Sequence, residues 1–186
     1  MNEFTEGLST QANTLFEIAQ KIFGPKCDQW KFEGVFIGDN GPSTMYHFPS
    51  KGDISISLSD KILNDDIQSL FQLSHEVCHL LHPSRDCKTD ELYDTIVFNE
   101  GIATYFQVLI TSNIQDPSDL VDNLKSHNVR YFNAYKLLEQ LMEIDSEMVI
   151  KIRDIQPRID LVTEIDFQRI GSNIPKELVL SLLEKW

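Results

Sequence analysis

The chain is short of basic residues and of long apolar runs, and each shortage excludes a class of protein. Only 16 lysines and arginines stand against 29 aspartates and glutamates in 186 residues, which gives a formal net charge of −13. Because this charge repels phosphates, we expect neither nucleic acid nor an anionic membrane as the main partner. No apolar run reaches the roughly 18 residues that a membrane span needs.

Cysteine is also scarce. The three cysteines, Cys27, Cys78 and Cys87, are an odd number, and their spacing does not have the form of a zinc knuckle. We therefore expect no disulfide framework and a reducing, cytoplasmic location. Residues 1–9 carry acidic side chains and no apolar core, so we also expect no secretory signal peptide.

The apolar spacing predicts a helix, then a small sheet, then a helical remainder. Apolar residues at helical spacing from Leu8 to Phe23 predict a first helix that ends at Gly24-Pro25. Short β-prone runs predict an antiparallel sheet with strands at 35–37, 45–48 and 54–58, separated by turns at 38–42 and 49–53. Later helices are predicted at 64–82, at 89–111, from 116 onwards, and at 128–144, 146–155, 160–170 and 175–185.

This order predicts an α+β fold in one domain, in which the small sheet packs on the helix at 64–82. Its three parts are the first helix and sheet (1–59), a pair of central helices (60–112) and a helical C-terminal lobe (113–186).

The segment His75-Glu76-Val77-Cys78-His79 has the H-E-x-x-H pattern. Two histidines four residues apart lie on one face of a helix, so both rings can reach a single tetrahedral zinc ion. Glu76 is offset from His75 by about 100° around the helix. It can therefore flank a zinc-bound water without binding the metal itself.

A catalytic zinc site usually has three protein ligands, and the next predicted helix offers the third. Glu100 is the one acidic residue in the otherwise apolar segment 97–105. The residues from Pro83 to Lys88 can turn the chain so that the two helices pack side by side. Gly101 costs a helix about 1 kcal/mol relative to alanine, which predicts a close approach to a neighbouring helix.

An H-E-x-x-H helix followed by a helix with Asn99-Glu100-Gly101-Ile102-Ala103 resembles the gluzincins. These are the thermolysin-like and peptidase MA-like zinc proteases, and they include the compact minigluzincins. The resemblance covers roughly residues 53–110. It implies a zinc peptidase in which His75, His79 and Glu100 bind Zn²⁺ and Glu76 is the general base.

The resemblance also implies how the substrate binds. The strand at 54–58 would line the cleft, with Ile54, Ile56 and Leu58 facing inward, and would pair with an extended peptide or protein substrate. A downstream tyrosine or histidine often stabilises the oxyanion in this family. Tyr131 is the first candidate for that role, and His127 and Tyr135 are the alternatives.

The chain departs from the thermolysin pattern at one position. Thermolysin carries an aspartate four residues after the zinc-binding glutamate, where it orients a zinc-binding histidine, and this chain has Thr104 there. The partner of that histidine must then come from elsewhere, such as a backbone carbonyl or another carboxylate.

Two other functions are compatible with these residues. The chain could be a gluzincin-like scaffold that binds a protein partner and keeps zinc for structure, although a structural site needs no general base such as Glu76. It could also be a zinc hydrolase that cleaves a different bond.

Overall fold

The computed structural model describes residues 3–27, 30–38, 41–47, 52–62, 65–171 and 173–186. The strands in these ranges are β1 (Lys31–Gly38), β2 (Ser43–His47) and β3 (Asp53–Ser59). The helices are α1 (Glu3–Phe23), α2 (Asp66–His79), α3 (Val97–Thr111), α4 (Pro117–His127), α5 (Val129–Ile144), α6 (Met148–Ile155), α7 (Glu164–Ile170) and α8 (Lys176–Leu182). The predicted α+β class is confirmed. None of the helices described is long and apolar enough to cross a membrane.

The three strands form a mixed sheet in the order β1-β3-β2. The predicted antiparallel pairing holds between β2 and β3, whereas β1 and β3 are parallel. Because β3 is paired on both edges, it has no free edge to pair with a substrate, so the expectation that strand 54–58 forms the cleft edge is wrong. The edge strands are β1 and β2. Residues 39–40 and 48–51, which include Phe48 and much of both predicted turns, lie outside the described ranges.

The central position of β3 also explains its burial. Ile54, Ile56 and Leu58 are buried as predicted, but Ser55 and Ser57 between them are only 0% and 6% exposed. A strand with neighbours on both edges and packing on both faces hides its polar positions as well. The alternation of apolar and polar residues therefore does not mark an edge strand here.

Helix α1 has the predicted end and an apolar face that packs on β1 and α2. Gly24 has a φ of +90° directly after the last helical residue, Phe23, and glycine adopts this left-handed conformation without the steric cost of a side chain. The buried face consists of Leu8, Ala12, Leu15, Ala19 and Phe23.

Helix α2 begins with a side-chain cap. The Asp65 carboxylate accepts a hydrogen bond from the backbone N–H of Gln68 at 2.9 Å, which satisfies one of the unpaired groups at the helix start. The predicted start at Asn64 lies outside the described residues. Leu73 and Val77 are fully buried on one face of the helix. The helix ends at His79, which is earlier than the predicted 82.

Helix α3 begins at Val97 and not near residue 89, so the predicted start is wrong. Asp90 has a φ of +63°, a left-handed conformation that a helix cannot contain. The Asp86 carboxylate accepts hydrogen bonds from the backbone N–H groups of Lys88 and Thr89 at 2.7 and 2.8 Å. These polar residues therefore form a turn that the Asp86 side chain stabilises. The same residue types also cap helices, so their sequence suits either structure.

Gly101 lies at the crossing of α3 and α5. A Cβ built on Gly101 would lie 2.9 Å from the backbone oxygen of Ala134 in α5, which is closer than real Cβ atoms come. The close approach predicted from Gly101 is confirmed, and its partner is α5. Helix α3 thus packs against both α2 and α5, and this places Glu100 opposite the H-E-x-x-H residues.

Candidate metal centre

The structure brings the three predicted ligands together. The Nε2 atoms of His75 and His79 lie 3.2 Å apart. Oε2 of Glu100 lies 3.3 Å from Nε2 of His75, and Oε1 lies 3.8 Å from Nε2 of His79. Their ligand atoms are close enough together to hold one metal ion. Among the His, Cys, Asp and Glu residues that the structure describes, these three form the group with that property.

The spacing of these atoms fits a tetrahedral zinc ion. Zinc–nitrogen and zinc–oxygen bonds of about 2.0–2.2 Å separate tetrahedral ligand atoms by roughly 3.3 Å. Oε2 of Glu100 is buried, and no hydrogen-bond donor among the described residues is aligned with it. A buried acceptor facing two ring nitrogens is costly unless a cation lies between them. The donor set of two imidazoles and one carboxylate is one that zinc prefers.

His79 is oriented by a hydrogen-bonded chain of two side chains. Its Nδ1 lies 3.1 Å from Oδ1 of Asn99, and Nδ2 of Asn99 donates to both carboxylate oxygens of Asp160 at 2.8 and 2.9 Å. Because the Asn99 N–H groups are committed to Asp160, its Oδ1 must accept from His79. The network therefore assigns the proton of His79 to Nδ1 and leaves the Nε2 lone pair for the metal.

Asp160 is held by further donors. The hydroxyl of Ser84 donates to Oδ2 at 2.5 Å, and the backbone N–H of Ile96 donates to Oδ1 at 3.3 Å. Burial raises the pKa of Asp160 above its usual range, although these donors and Asn99 act in the opposite direction. Asp160 therefore links the start of α3 to the ligand His79.

His75 has a different neighbour. Gln107, which is 4% exposed and lies two turns after Glu100 on α3, lines the same cavity as His75. Thr104 does not take the place of the missing aspartate, because its hydroxyl donates to the backbone carbonyl of Glu100 at 2.7 Å. Burial lowers the pKa of His75, but the carboxylates of Glu100 and Glu76 outweigh it, so the pKa is raised overall.

Glu76 lies next to the three ligands but outside the group that could hold a metal. It is 6% exposed, and its Oε2 accepts a hydrogen bond from the hydroxyl of Thr44 in β2 at 3.1 Å. Glu76 and His75 line a cavity of about 250 Å³. Most of its other lining residues are glutamine and apolar side chains of α2, α3 and α4, which include Gln72, Phe71 and Leu124.

The three candidates for an oxyanion-stabilising residue occupy different places. Tyr131 lines the same cavity, and its ring centre lies 5.4 Å from that of His75. Tyr135 is buried on another face of α5, where its hydroxyl donates to Glu139 at 2.8 Å. His127 is exposed at the end of α4, with Nδ1 3.2 Å from the backbone oxygen of Asn123. The structure thus brings Tyr131 to the candidate site and leaves the other two outside the cavity lining.

The environment of Tyr131 affects its acidity. Burial and the nearby carboxylates of Glu100 and Glu76 raise the pKa of Tyr131 to about 12, and Arg130 opposes them. At neutral pH the phenol therefore keeps its proton and can donate a hydrogen bond. The other side of the ring contacts Trp186, at 4.9 Å between ring centres.

Sequence reasoning missed several residues that support the ligands. Gln107 had a local signal, because a polar residue seven positions after Glu100 lies on the same helix face. Thr44 and Asp160 had none, since a strand and a short 3-10 turn (Ile159–Leu161) bring them in from distant parts of the chain. Only tertiary packing shows their proximity.

Comparison of the chain with protein-family models, with curated proteins and with solved structures gave no match. Membership of the gluzincins therefore stays a prediction. It rests on the H-E-x-x-H and N-E-G-x-A segments and on the geometry of His75, His79 and Glu100.

Proposed function

We propose that the chain is a zinc-dependent peptidase. The observation that carries this proposal is the convergence of His75, His79 and Glu100 at distances that suit tetrahedral zinc, with Glu76 beside them in a cavity. Three protein ligands leave one coordination position open, as in catalytic zinc sites, whereas structural sites usually have four. The buried carboxylate of Glu76, which is not needed to bind metal, favours catalysis over a structural role.

Each side chain around the cavity has a role in this reaction. Zinc at this position would supply Lewis-acid activation of water and of the scissile carbonyl. Glu76 accepts the proton of the attacking water and later delivers it to the leaving amine. Thr44 holds one carboxylate oxygen of Glu76, which leaves the other oxygen for the proton. Tyr131 donates a hydrogen bond to the carbonyl oxygen as negative charge develops on it.

The edge strand β2 suits an extended peptide substrate. It pairs with β3 on one side, and no other strand among the described residues pairs with it. An extended chain that pairs with the open edge gains backbone hydrogen bonds whatever its side chains are. Because Thr44 of β2 contacts Glu76, such a peptide would pass directly by the general base.

The composition supports further parts of the proposal. The net charge of −13 disfavours nucleic acid and anionic membranes as partners, which is compatible with a peptide or protein substrate. All three cysteines lie in the described ranges and none forms a disulfide. This favours a reducing compartment such as the cytoplasm.

Metal analysis and a digest of a peptide library test the proposal together. Purified protein should hold about one zinc ion per chain, and His79→Ala or Glu100→Ala should remove it, because a three-ligand site rarely survives the loss of one ligand. His127→Ala is the matched control and should keep the metal. Full zinc occupancy in a His75→Ala/His79→Ala double variant would exclude this site.

Glu76→Gln separates catalysis from binding. The amide keeps the size of the side chain but cannot accept the proton, so peptide cleavage should fall by on the order of 100-fold or more. Zinc content and melting temperature should stay near those of the wild type. If Glu76→Gln retains full biological effect, the chain is a binding scaffold and not a peptidase.

A further inference from the structure

A second cavity lies beside the candidate metal centre. It has a volume of about 490 Å³ and is lined mainly by the first turns of α5 and by residues 181–186. Its lining includes Arg130, Asn133, Lys136, Glu184, Lys185 and Trp186. Three cations and one carboxylate therefore meet here, in a chain whose acidic residues outnumber its basic ones by 29 to 16.

The three cations differ in how far they are neutralised. Lys136 pairs with Glu139, and Nζ of Lys185 lies 2.5 Å from a carboxylate oxygen of Asp94. Arg130, in contrast, makes no ion pair with any carboxylate of the described residues. Its N–H groups are therefore available to an anionic group that enters the cavity, while its charge also lowers the pKa of Glu100.

Arg130 is also held in place for such a group. Its guanidinium carbon lies 4.2 Å from the ring centre of Trp186, a cation–π contact that restrains the side chain. Such a contact does not use the guanidinium N–H groups as hydrogen-bond donors. These groups match the geometry of a carboxylate, to which arginine can donate two parallel hydrogen bonds.

A chain of ring contacts connects Arg130 to the candidate metal centre. Trp186 contacts Tyr131 at 4.9 Å between ring centres, and Tyr131 contacts His75 at 5.4 Å. An extended peptide advances about 3.3 Å per residue. A group bound by Arg130 therefore lies within about four residues of a bond held at His75.

We propose that Arg130 binds a carboxylate of the peptide substrate. The site would then select peptides that place a carboxylate in the cavity beside Arg130. This inference rests on the proposed function, because it concerns the substrate of that same site. The overall charge of the protein repels anionic peptides, but exposed charges are largely screened beyond about 10 Å at 0.1 M salt. Recognition therefore depends on the local cation. The carboxylate is either an acidic side chain or the free end of the peptide.

Binding without turnover tests the proposal. The probes are three fluorescently labelled, N-acetylated hexapeptide sets: a neutral set with an amidated end, the same set with one glutamate, and the neutral set with a free carboxyl end. Their affinities are measured by fluorescence anisotropy on zinc-loaded Glu76→Gln protein and on metal-free wild-type protein. At least one carboxylate set should bind about tenfold more tightly than the neutral set, as expected for one charge-assisted contact.

Variants of Arg130 identify the residue responsible. Arg130→Gln should abolish the preference for carboxylates, and Arg130→Lys should retain part of it, because lysine keeps the charge but not the paired donors. Lys125→Gln removes one positive charge from an exposed residue of α4 outside this cavity and should keep the full preference. Because the Arg130 side chain is exposed, these replacements leave the core intact.

Each outcome decides between the alternatives. Tighter binding of the glutamate set assigns an acidic side chain as the ligand, and tighter binding of the free-end set assigns the α-carboxylate. Equal affinity for all three sets would overturn the proposal. So would an equal loss of the carboxylate preference in Arg130→Gln and Lys125→Gln. If the protein cleaves no peptide but still prefers carboxylate peptides through Arg130, the anion site is supported and the peptidase function is rejected.

Discussion

Nδ2 of Asn99 donates hydrogen bonds to both carboxylate oxygens of Asp160, at 2.8 and 2.9 Å. This contact decides which end of the Asn99 amide faces His79. If the amide were reversed, its N–H group would donate to Nδ1 of His79, and the proton of the imidazole would move to Nε2. A protonated Nε2 cannot bind a metal, so Asp160 maintains the metal-binding form of a ligand that it does not contact.

Replacing Asp160 should therefore weaken zinc binding. We expect Asp160→Ala to lower zinc affinity by about 10- to 100-fold, the usual effect of losing a residue that orients a metal-binding histidine. Affinity can be measured by competition with a chromophoric chelator. Asp119→Ala, in the exposed first turn of α4, is the control and should bind zinc like the wild type. Equal zinc affinity in both variants would show that the Asn99 amide keeps its orientation toward His79 without Asp160.

The raised pKa of Asp160 predicts a pH dependence of stability. A carboxyl group whose pKa is higher in the folded than in the unfolded chain binds its proton more tightly when folded. Its contribution to stability is complete below about pH 4, the ordinary pKa of aspartate, and is lost as the pH rises through the folded pKa. Compared with Asp160→Asn, the metal-free wild type should lose unfolding free energy as the pH rises above about 4.

Urea denaturation of the metal-free wild type and Asp160→Asn at a series of pH values measures this difference directly. The other titrating groups are shared, so their contributions largely cancel between the two proteins. The expectation is contradicted if the difference in unfolding free energy between the two proteins stays constant with pH. It is also contradicted if the wild type becomes relatively more stable as the pH rises.

Tyr131→Phe tests the role of the phenol. Removing the donor should lower kcat by on the order of 100-fold while KM and zinc content change little, because the hydrogen bond strengthens only as charge develops on the carbonyl oxygen. Tyr135→Phe and His127→Ala are the matched controls, since these residues lie outside the cavity lining. The assignment fails if either control loses as much activity as Tyr131→Phe.

Gly101→Ala tests the packing that positions Glu100. The added Cβ would meet the backbone oxygen of Ala134 at 2.9 Å, and backbone cannot move aside as a flexible side chain can. Overpacking of about 1–3 kcal/mol exceeds the gain of about 1 kcal/mol in helix propensity, so the variant should be less stable. Gly7→Ala in α1 has no atom within 4 Å of the new Cβ and should be slightly more stable. Urea denaturation that finds both variants equally stable would show that α3 and α5 can separate at little cost.

The parts of this protein that could be predicted from sequence are those with local causes. The pairing of His75 with His79 follows from the turn of one helix, the end of α1 follows from the freedom of Gly24, and the close helix contact follows from the small size of Gly101. The first two depend on residues only a few positions apart, and the third on the lack of a side chain at a single position. The α+β class follows from the same periodicities, summed over segments.

The tertiary structure decided everything that depends on distant pairing. The alternating pattern of Ile54, Ile56 and Leu58 is the same for a central as for an edge strand, so the sequence alone did not show that β2 forms the edge next to Glu76. The polar residues before Val97 suit either a helix cap or a turn, and the surrounding fold selects the turn. Asp160 reaches Asn99 from 61 positions along the chain. No local periodicity records such a contact, because it arises only when burial of the whole core brings the two segments together.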